Sequence, residues 1–378
     1  MLNKPKVSVI GIGRLGLSFA LLLDSKGYDV MGCDVNVSYV EMLKNKTFNS
    51  PEPFINEMLA ISKMDFTTYT VNAFNHADII FVLVQTPSKE GGAYNHKHID
   101  QIVEKLIDNE VKDKTLVISS TVMPQYCEKI QNKLERLNIN VVYNPEFIAQ
   151  GSIVEGLKKS DIVLIGGKYN DEICQIYIDI MDKVPNFKVL SLTGAEITKM
   201  AINCFLTLKI GFANMIGEIV ISSWEEENME SIMDAIGSDS RIGKKYLNYG
   251  FPAGGVCLPR DQKALNSYAS FKWVHTDFLN DIDKENNRHL EWMVTYYKNK
   301  NQDKSVPFVF SYLGYKKGVD ILTESYQLKL CIELLREGYK VVVPEYIKYS
   351  TDTPEEFRDY VYKDKVIFNE TTDGYKIN

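Results

Sequence analysis

The sequence predicts an α/β fold: two unequal, mainly parallel sheets joined by a long helical segment. Three observations predict it. Short apolar runs alternate with amphipathic stretches through the first half. A proline-free stretch with apolar residues at helical spacing follows at 194–228, and a shorter strand–helix–strand pattern begins near 306. Strands separated by helices make βαβ units, which lay the strands side by side and parallel.

The elements follow in order. KVSVIGI (6–12) reads as a strand, LGLSFALLLDSKG (15–27) as a helix ending at a glycine, and YDVMGCDV (28–35) as a second strand. DIIFVLVQT (78–86), TLVISST (115–121), INVVYNP (139–145) and DIVLIGG (161–167) continue the strands of a first domain at 1–193. At ~1.5 Å per residue, the 194–228 helix would exceed roughly 40 Å. That is longer than one domain needs, so it reads as a connector and as a dimer surface. Helices are expected to continue to about 300, broken by a loop at 237–258, which makes 194–300 a helical connector and dimerisation domain. The hydrophilic KNKNQDKS (298–305) reads as a linker. VPFVFSYLG, ESYQLKLCIELLREG and YKVVVPE then form a small βαβ domain at 301–378, whose tail past 350 is polar and weakly patterned.

Bulk properties narrow the class. The 378 residues are 45% hydrophobic and 25% charged, ordinary for a soluble globular protein. The net charge of −7 argues against nucleic acid as a partner. MLNKPKVSVIGIG enters a strand directly, without a signal-peptide pattern, and apolar runs such as IIFVLV (79–84) fall far below the ~20 residues of a membrane helix. Six cysteines form no CxxC and five histidines show no zinc spacing, so reduced thiols in a cytoplasmic protein are expected, without disulfides or a metal. His76, His96, His98, His275 and His289 sit in no motif and read as surface or capping residues.

Gly11-Ile12-Gly13-Arg14-Leu15-Gly16 follows a strand and opens a helix. Glycines there permit a tight turn, close approach of backbone to a pyrophosphate, and close packing of helix on strand. The helix N-terminus then meets the phosphate charge. Asp34 ends the second strand, where a carboxylate accepts ribose hydroxyls and repels a 2′-phosphate. The pattern indicates a Rossmann-like domain that binds NAD rather than NADP. FAD is the competing dinucleotide, which the later motifs disfavour.

Three further segments carry chemistry, and each has an ordinary alternative. In Gly254-Gly255-Val256-Cys257-Leu258-Pro259-Arg260-Asp261, glycines open a path to the sulfur and Arg260 favours the thiolate nucleophile. The alternative is a structural cysteine in a turn. Lys199 and Asn203, one turn apart on the long helix behind Glu196, could hold an oxyanion. Alternatively, Lys199 is simply solvated. In Asn144-Pro145-Glu146-Phe147, at a strand end, Glu146 is placed to act as a general base or merely as a cap. Thr86, Ser120 and Thr121 occupy similar strand ends, as cofactor contacts or caps.

Taken in order, these segments resemble the UDP-glucose/GDP-mannose dehydrogenase family from Lys6 to about Val343. GIGRLG is similar to the family's GxGxxG, and Glu52-Pro53 to its Glu-Pro loop. Gln85-Thr86-Pro87 resembles its V-x-T-P turn, SSTV its S-T-V strand end, and NPEFIAQG its N-P-E-F-x-x-x-G element. AEITKMAINCFLTLKIGFAN resembles the central helix, SDSRIGKKYLNY the R-I-G segment, and Tyr315-Lys316 with Glu324-Ser325 the F-K…R-E-S pair.

The resemblance implies a four-electron oxidation of a sugar C6 alcohol with NAD, through a thiohemiacetal and a thioester on Cys257. By motif position, Lys199 and Asn203 would hold the oxyanion. Glu146 would act as acid/base in thioester hydrolysis, and Asp261 with Thr121 would order a water. Gly11, Ile12, Gly13, Leu15, Gly16, Asp34, Thr86, Ser120, Thr121 and Gln150 would meet the cofactor. Phe147, Ile148, Lys199, Asn203, Tyr246, Gly254, Tyr315 and Lys316 would meet the substrate, and Arg241 would reach it across a homodimer interface. UDP-glucose is the first substrate expected, with GDP-mannose and UDP-N-acetylhexosamines as alternatives. A two-electron hydroxyacid dehydrogenase and a non-catalytic NAD-binding protein are the remoter readings. Departures from the family pattern cluster at its edges: Pro252-Ala253 before the cysteine glycines, Arg260 for lysine, Gln150 for glutamate, Gln125 for glycine, Asp161 for arginine, and Thr323 for the arginine of R-E-S.

Overall fold

A computed structural model describes residues 4–148, 151–350, 352–369 and 374–377. The chain divides into two compact units, Met1–Met200 and Ala201–Asn378.

The first unit is built on an eight-stranded sheet: β1 (Val7–Ile10), β2 (Val30–Cys33), β3 (Asp65–Thr67), β4 (Ile79–Val82), β5 (Thr115–Ile118), β6 (Asn140–Tyr143), β7 (Val163–Gly166) and β8 (Phe187–Leu190). The order is β3-β2-β1-β4-β5-β6-β7-β8. Every pair is parallel except β6 with β7, which meet antiparallel at Tyr143 and Gly166. The first six strands therefore run 3-2-1-4-5-6, the order of dinucleotide-binding sheets, and the order reverses between β1 and β4. Helices cover both faces. Val7 and Val9 join one core with Leu17, Leu21 and Ile176, while Ile10 joins the other with Phe74, Ile102 and Ile130. Burial on two sides is why these strands read as unbroken apolar runs rather than alternating ones.

The predicted α/β class holds, and the differences from expectation have physical causes. β3 and β8 were not foreseen. β3 is three residues long, and β8 leaves Lys188, Val189 and Leu190 exposed, so neither carries a core signature. The first helix runs Arg14–Ser25 and the long helix Leu192–Ser222, 31 residues. That helix is long and apolar enough to cross a membrane, although no single run of its sequence suggested it. It carries the buried polar residues Glu196, Lys199, Asn203, Thr207, Asn214 and Glu218, a pattern suited to a protein core rather than a lipid-facing span.

The second unit holds a smaller sheet of four parallel strands: β9 (Phe308–Phe310), β10 (Val341–Val343), β11 (Val366–Phe368) and β12 (Tyr375–Ile377), ordered β11-β10-β9-β12. Helices Asp277–Lys300, Tyr326–Arg336 and Glu355–Tyr362 pack with it around Phe308, Leu330 and Phe357. The tail past 350, which read as weakly patterned, supplies a helix and two of the four strands. Its strands are three residues each, too short for a periodicity signal. His289, read from sequence as a surface or capping residue, is 1% exposed.

Candidate functional site

In the first unit, the candidate residues collect beyond the carboxyl ends of the parallel strands. The Gly11–Gly16 turn follows β1, Asp34 follows β2, Thr86 follows β4, Ser120 and Thr121 follow β5, and Glu146, Phe147 and Ile148 follow β6. Gly11 has φ +90°, and a Cβ on it would stand 2.7 Å from the carbonyl oxygen of Leu83, just past β4. A Cβ on Gly16 would stand 2.0 Å from the Gly11 carbonyl oxygen, so this glycine lets the helix lie against the turn. Gly13 faces open space, with nothing within 4 Å of its Cβ position. It is the N-cap of the Arg14–Ser25 helix, and no side chain caps that N-terminus. Uncapped first-turn N–H groups beside an open glycine suit a pyrophosphate. Ile12 is buried in the core, Leu15 packs beside it, and the Ile12 carbonyl accepts the Tyr39 hydroxyl at 2.7 Å. Asp34 Oδ1 accepts the Asn36 N–H at 3.0 Å, which orients the carboxylate at the strand end. These residues fit a bound NAD.

The loop after β5 is braced from several sides. The Thr86 hydroxyl donates to the Thr121 carbonyl at 2.8 Å, and the Ser120 hydroxyl to the Val84 carbonyl at 2.6 Å. Two braces escaped the sequence reading. His96 Nε2 accepts the Met123 N–H at 3.1 Å, and burial lowers its pKa to about 4, so the ring is neutral as an acceptor must be. Glu196, fully buried, accepts the N–H groups of Gln125 (2.6 Å) and Cys127 (2.7 Å) at the start of the Tyr126–Leu134 helix. Burial raises its carboxyl to about 7. Glu52 is a second buried acid used structurally: it accepts the Gly151 N–H at 2.8 Å.

Glu146 is partly buried, and its Oε1 receives the Tyr177 hydroxyl at 2.5 Å. Burial pushes its carboxyl up to about 7, against the opposing influence of that bond and of the Lys199 charge. Lys199, 7% exposed, donates to the Glu146 carbonyl at 2.8 Å and lies 4.5 Å from the centre of the Phe147 ring. The first unit therefore brings Glu146, Phe147 and Lys199 together. Gln150 lies outside the described residues.

In the second unit, Asn203 donates to Asp261 Oδ2 at 2.5 Å, and both are buried. Cys257 is the N-cap of the Leu258–Phe271 helix, and its carbonyl accepts the Asp261 N–H at 2.9 Å. The sulfur-bearing residue is exposed, whereas the other five cysteines are buried. The positive end of a helix dipole at the N-cap favours an anion there. Gly254 and Gly255 are both required by packing. A Cβ on Gly254 would stand 2.4 Å from the Glu324 carbonyl oxygen, and one on Gly255, at φ +82°, would meet the Tyr315 ring at 2.6 Å. Tyr315 thus lies against the cysteine loop, and Lys316 Nζ lies 5.9 Å from its ring centre. Arg241 is exposed and paired with Asp239 at 2.6 Å, and Tyr246 is exposed with φ 63°. Ser325, of the Glu-Ser pair, caps the Tyr326–Arg336 helix. Among the described residues, no group of three His, Cys, Asp or Glu side chains is arranged to hold a metal.

The model of the UDP-glucose/GDP-mannose dehydrogenase NAD-binding domain matches residues 5–184, and that of the family's central domain residues 193–288. The chain is 30% identical over 297 residues to a UDP-glucose 6-dehydrogenase of Rickettsia felis, an alignment covering 76% of this chain and 66% of that relative's length. It is 26% identical over 361 residues to a GDP-mannose 6-dehydrogenase of Pseudomonas savastanoi pv. phaseolicola, covering 89% and 80%. Its fold superposes on a UDP-glucose dehydrogenase structure from Pyrobaculum islandicum with a TM-score of 0.81 at 24% identity, covering 98% of this chain and 87% of that one.

Proposed function

Because this chain belongs to the UDP-glucose/GDP-mannose dehydrogenase family, a family of NAD-dependent oxidoreductases, we propose that it oxidises the C6 alcohol of a nucleotide sugar to the uronic acid, with UDP-glucose the favoured substrate. The observation that carries the reading is the exposed Cys257 at a helix N-terminus, on a helix whose first turn also bears Asp261 bonded to Asn203.

NAD, bound twice in turn, would supply one hydride acceptor for each oxidation; in the first, C6 gives up a hydride and its hydroxyl gives up a proton to solvent, leaving the aldehyde. The Cys257 thiolate adds to the C6 aldehyde, forming a C–S bond and a thiohemiacetal. Loss of a second hydride from C6 leaves a thioester. Water then attacks the thioester carbonyl, the C–S bond breaks, and the acid and thiolate separate. Lys199 and Asn203 stabilise the oxyanions of these steps. The Asn203 amide has two N–H bonds, so it can hold Asp261 with one and offer the other. Glu146, ionised, removes the proton of the attacking water, which Asp261 and Thr121 order. Tyr246, Gly254, Tyr315 and Lys316 meet the nucleotide sugar, Lys316 through the diphosphate charge. The protein acts as a homodimer through the long helix, where Phe205, Phe212, Met215 and Ile219 form an exposed apolar stripe, and Arg241 serves the partner's site. A reducing cytoplasm keeps Cys257 a thiol.

The test counts NADH per sugar consumed, with excess NAD and limiting UDP-glucose, GDP-mannose or a UDP-N-acetylhexosamine. Two per sugar, with acid formation lost in Cys257→Ala, is the expected result. One per sugar, unaffected by that substitution, would leave a two-electron alcohol dehydrogenase, and none with any sugar would leave cofactor binding alone.

A further inference from the structure

The loop leading to Cys257 is fastened at Gly250. The Gly250 N–H is accepted by Asn214 Oδ1 at 2.9 Å, and its carbonyl accepts from His289 Nε2 at 2.8 Å. His289 is 1% exposed, and its other ring nitrogen stands 2.5 Å from Glu218 Oε1. Glu218 also pairs with Arg288 at 2.7 Å, and Arg288 in turn with Glu285 at 2.5 Å. Tyr249 meets the imidazole edge-on, and Trp292 stacks on it with ring centres 5.8 Å apart. A carbonyl oxygen can only accept, so Nε2 must carry a proton. On the other side Nδ1 faces the Glu218 carboxyl, itself held by Arg288, so the ring is gripped at both nitrogens. Asn214 and Glu218 are four apart on the long helix, so one helical face grips both sides of Gly250, directly and through His289. Seven residues later the loop reaches Cys257, after a second fastening where the Gly255 N–H donates to the Glu324 carbonyl at 3.3 Å.

We propose that His289, gripped between Glu218 and the Gly250 carbonyl, is a positioning residue: through that carbonyl it fixes the loop that presents Cys257 at the N-terminus of its helix. None of the candidate residues read from sequence includes it. The consequence for catalysis rests on Cys257 being the nucleophile, but the device itself does not.

The test is the alkylation rate of Cys257 by iodoacetamide in the full chain without substrate. The other five cysteines are buried, so the fast phase reports this thiol. His289→Leu removes the donor to Gly250, and the rate at neutral pH should fall roughly two- to fivefold, the range a helix N-terminus contributes to an anion. His289→Gln offers an amide donor and should restore most of the rate. A leucine variant at the wild-type rate, or leucine and glutamine variants slowed equally while only the melting temperature moves, would overturn the proposal in favour of a packing role. Should the leucine variant not fold, 15N-imidazole NMR of the wild type, assigned with His289→Gln, decides: a protonated, hydrogen-bonded Nε2 supports it and a bare Nε2 overturns it. Alkylation that depends on His289 in a protein that oxidises no sugar nucleotide would retire the proposed reaction and leave this inference standing.

Discussion

Tyr177 has one hydroxyl proton and two acceptors: Asn144 Oδ1 at 2.7 Å and Glu146 Oε1 at 2.5 Å. The Asn144 amide nitrogen donates to the Leu164 carbonyl at 2.9 Å, which fixes its oxygen toward the phenol. With Glu146 ionised, the phenol proton goes to the carboxylate. With Glu146 protonated, the acid donates to the phenol, which turns to Asn144. Burial raises the Glu146 carboxyl from 4.5 to about 7, so in the proposed reaction its share as a base should grow as pH rises through about 7. Tyr177→Phe removes a donor from the ionised form. The acid limb of the kcat–pH profile should move up by about one unit, and an unmoved limb would remove Tyr177 from this account. The linkage has a definite sign. The folded state holds this proton where the unfolded chain has lost it, so the contribution of Glu146 to stability falls as pH rises from about 4.5 through about 7. Glu146 could be read from sequence because Asn-Pro-Glu closes a strand. Tyr177 could not: it sits in an apolar helix, Asp171–Ile180, and nothing in its neighbours says the hydroxyl turns inward. His289 was misread for a similar reason, since its partner Glu218 lies 71 residues away.

Among the elements, the glycine turn separates two roles that the motif alone runs together. Gly16→Ala would put a methyl 2.0 Å from the Gly11 carbonyl oxygen, and should lower the unfolding free energy by about 1–3 kcal/mol or more. Gly13→Ala meets open space at φ −65° and should change stability by less than about 0.5 kcal/mol. Its cost should fall on NAD affinity, tenfold or more, or about 1.4 kcal/mol. Denaturant unfolding without cofactor and NAD titration of both variants check the contrast, and equal effects on both quantities would refute it. Glu196→Gln tests the β5 loop. A glutamine amide cannot accept both backbone N–H groups, so one is orphaned, at about 1–3 kcal/mol. A melting curve coincident with the wild type would show that the brace is dispensable. The turn and the strand-end residues could be read early because a glycine or hydroxyl beside an apolar run is a local signal. The bracing of the β5 loop by Glu196 and His96 was not legible, because it joins segments 71 and 27 residues apart.

For the whole molecule, the apolar stripe on the long helix predicts oligomeric state. Phe205 is 60% exposed and Phe212 43%, on the same face as Met215 and Ile219. Phe212→Glu should convert a sedimenting dimer to monomer, and a wild type that sediments as a monomer would discard the interface. The two-sheet plan was legible from unbroken apolar runs set between amphipathic stretches, and the reading failed where strands shrank to three residues in the tail. That tail also governs the order in which the molecule can be made. In the smaller sheet β9 lies between β10 and β12, and β12 pairs Tyr375–Ile377 with Phe308–Phe310, the last strand of the unit with its first. Until residue 377 has left the ribosome, β9 presents one open edge of backbone donors and acceptors. The first unit's sheet has all its strands by residue 190. During synthesis the nascent C-terminal unit is therefore the part most exposed to mispairing with neighbouring chains, and the part a chaperone would have to guard.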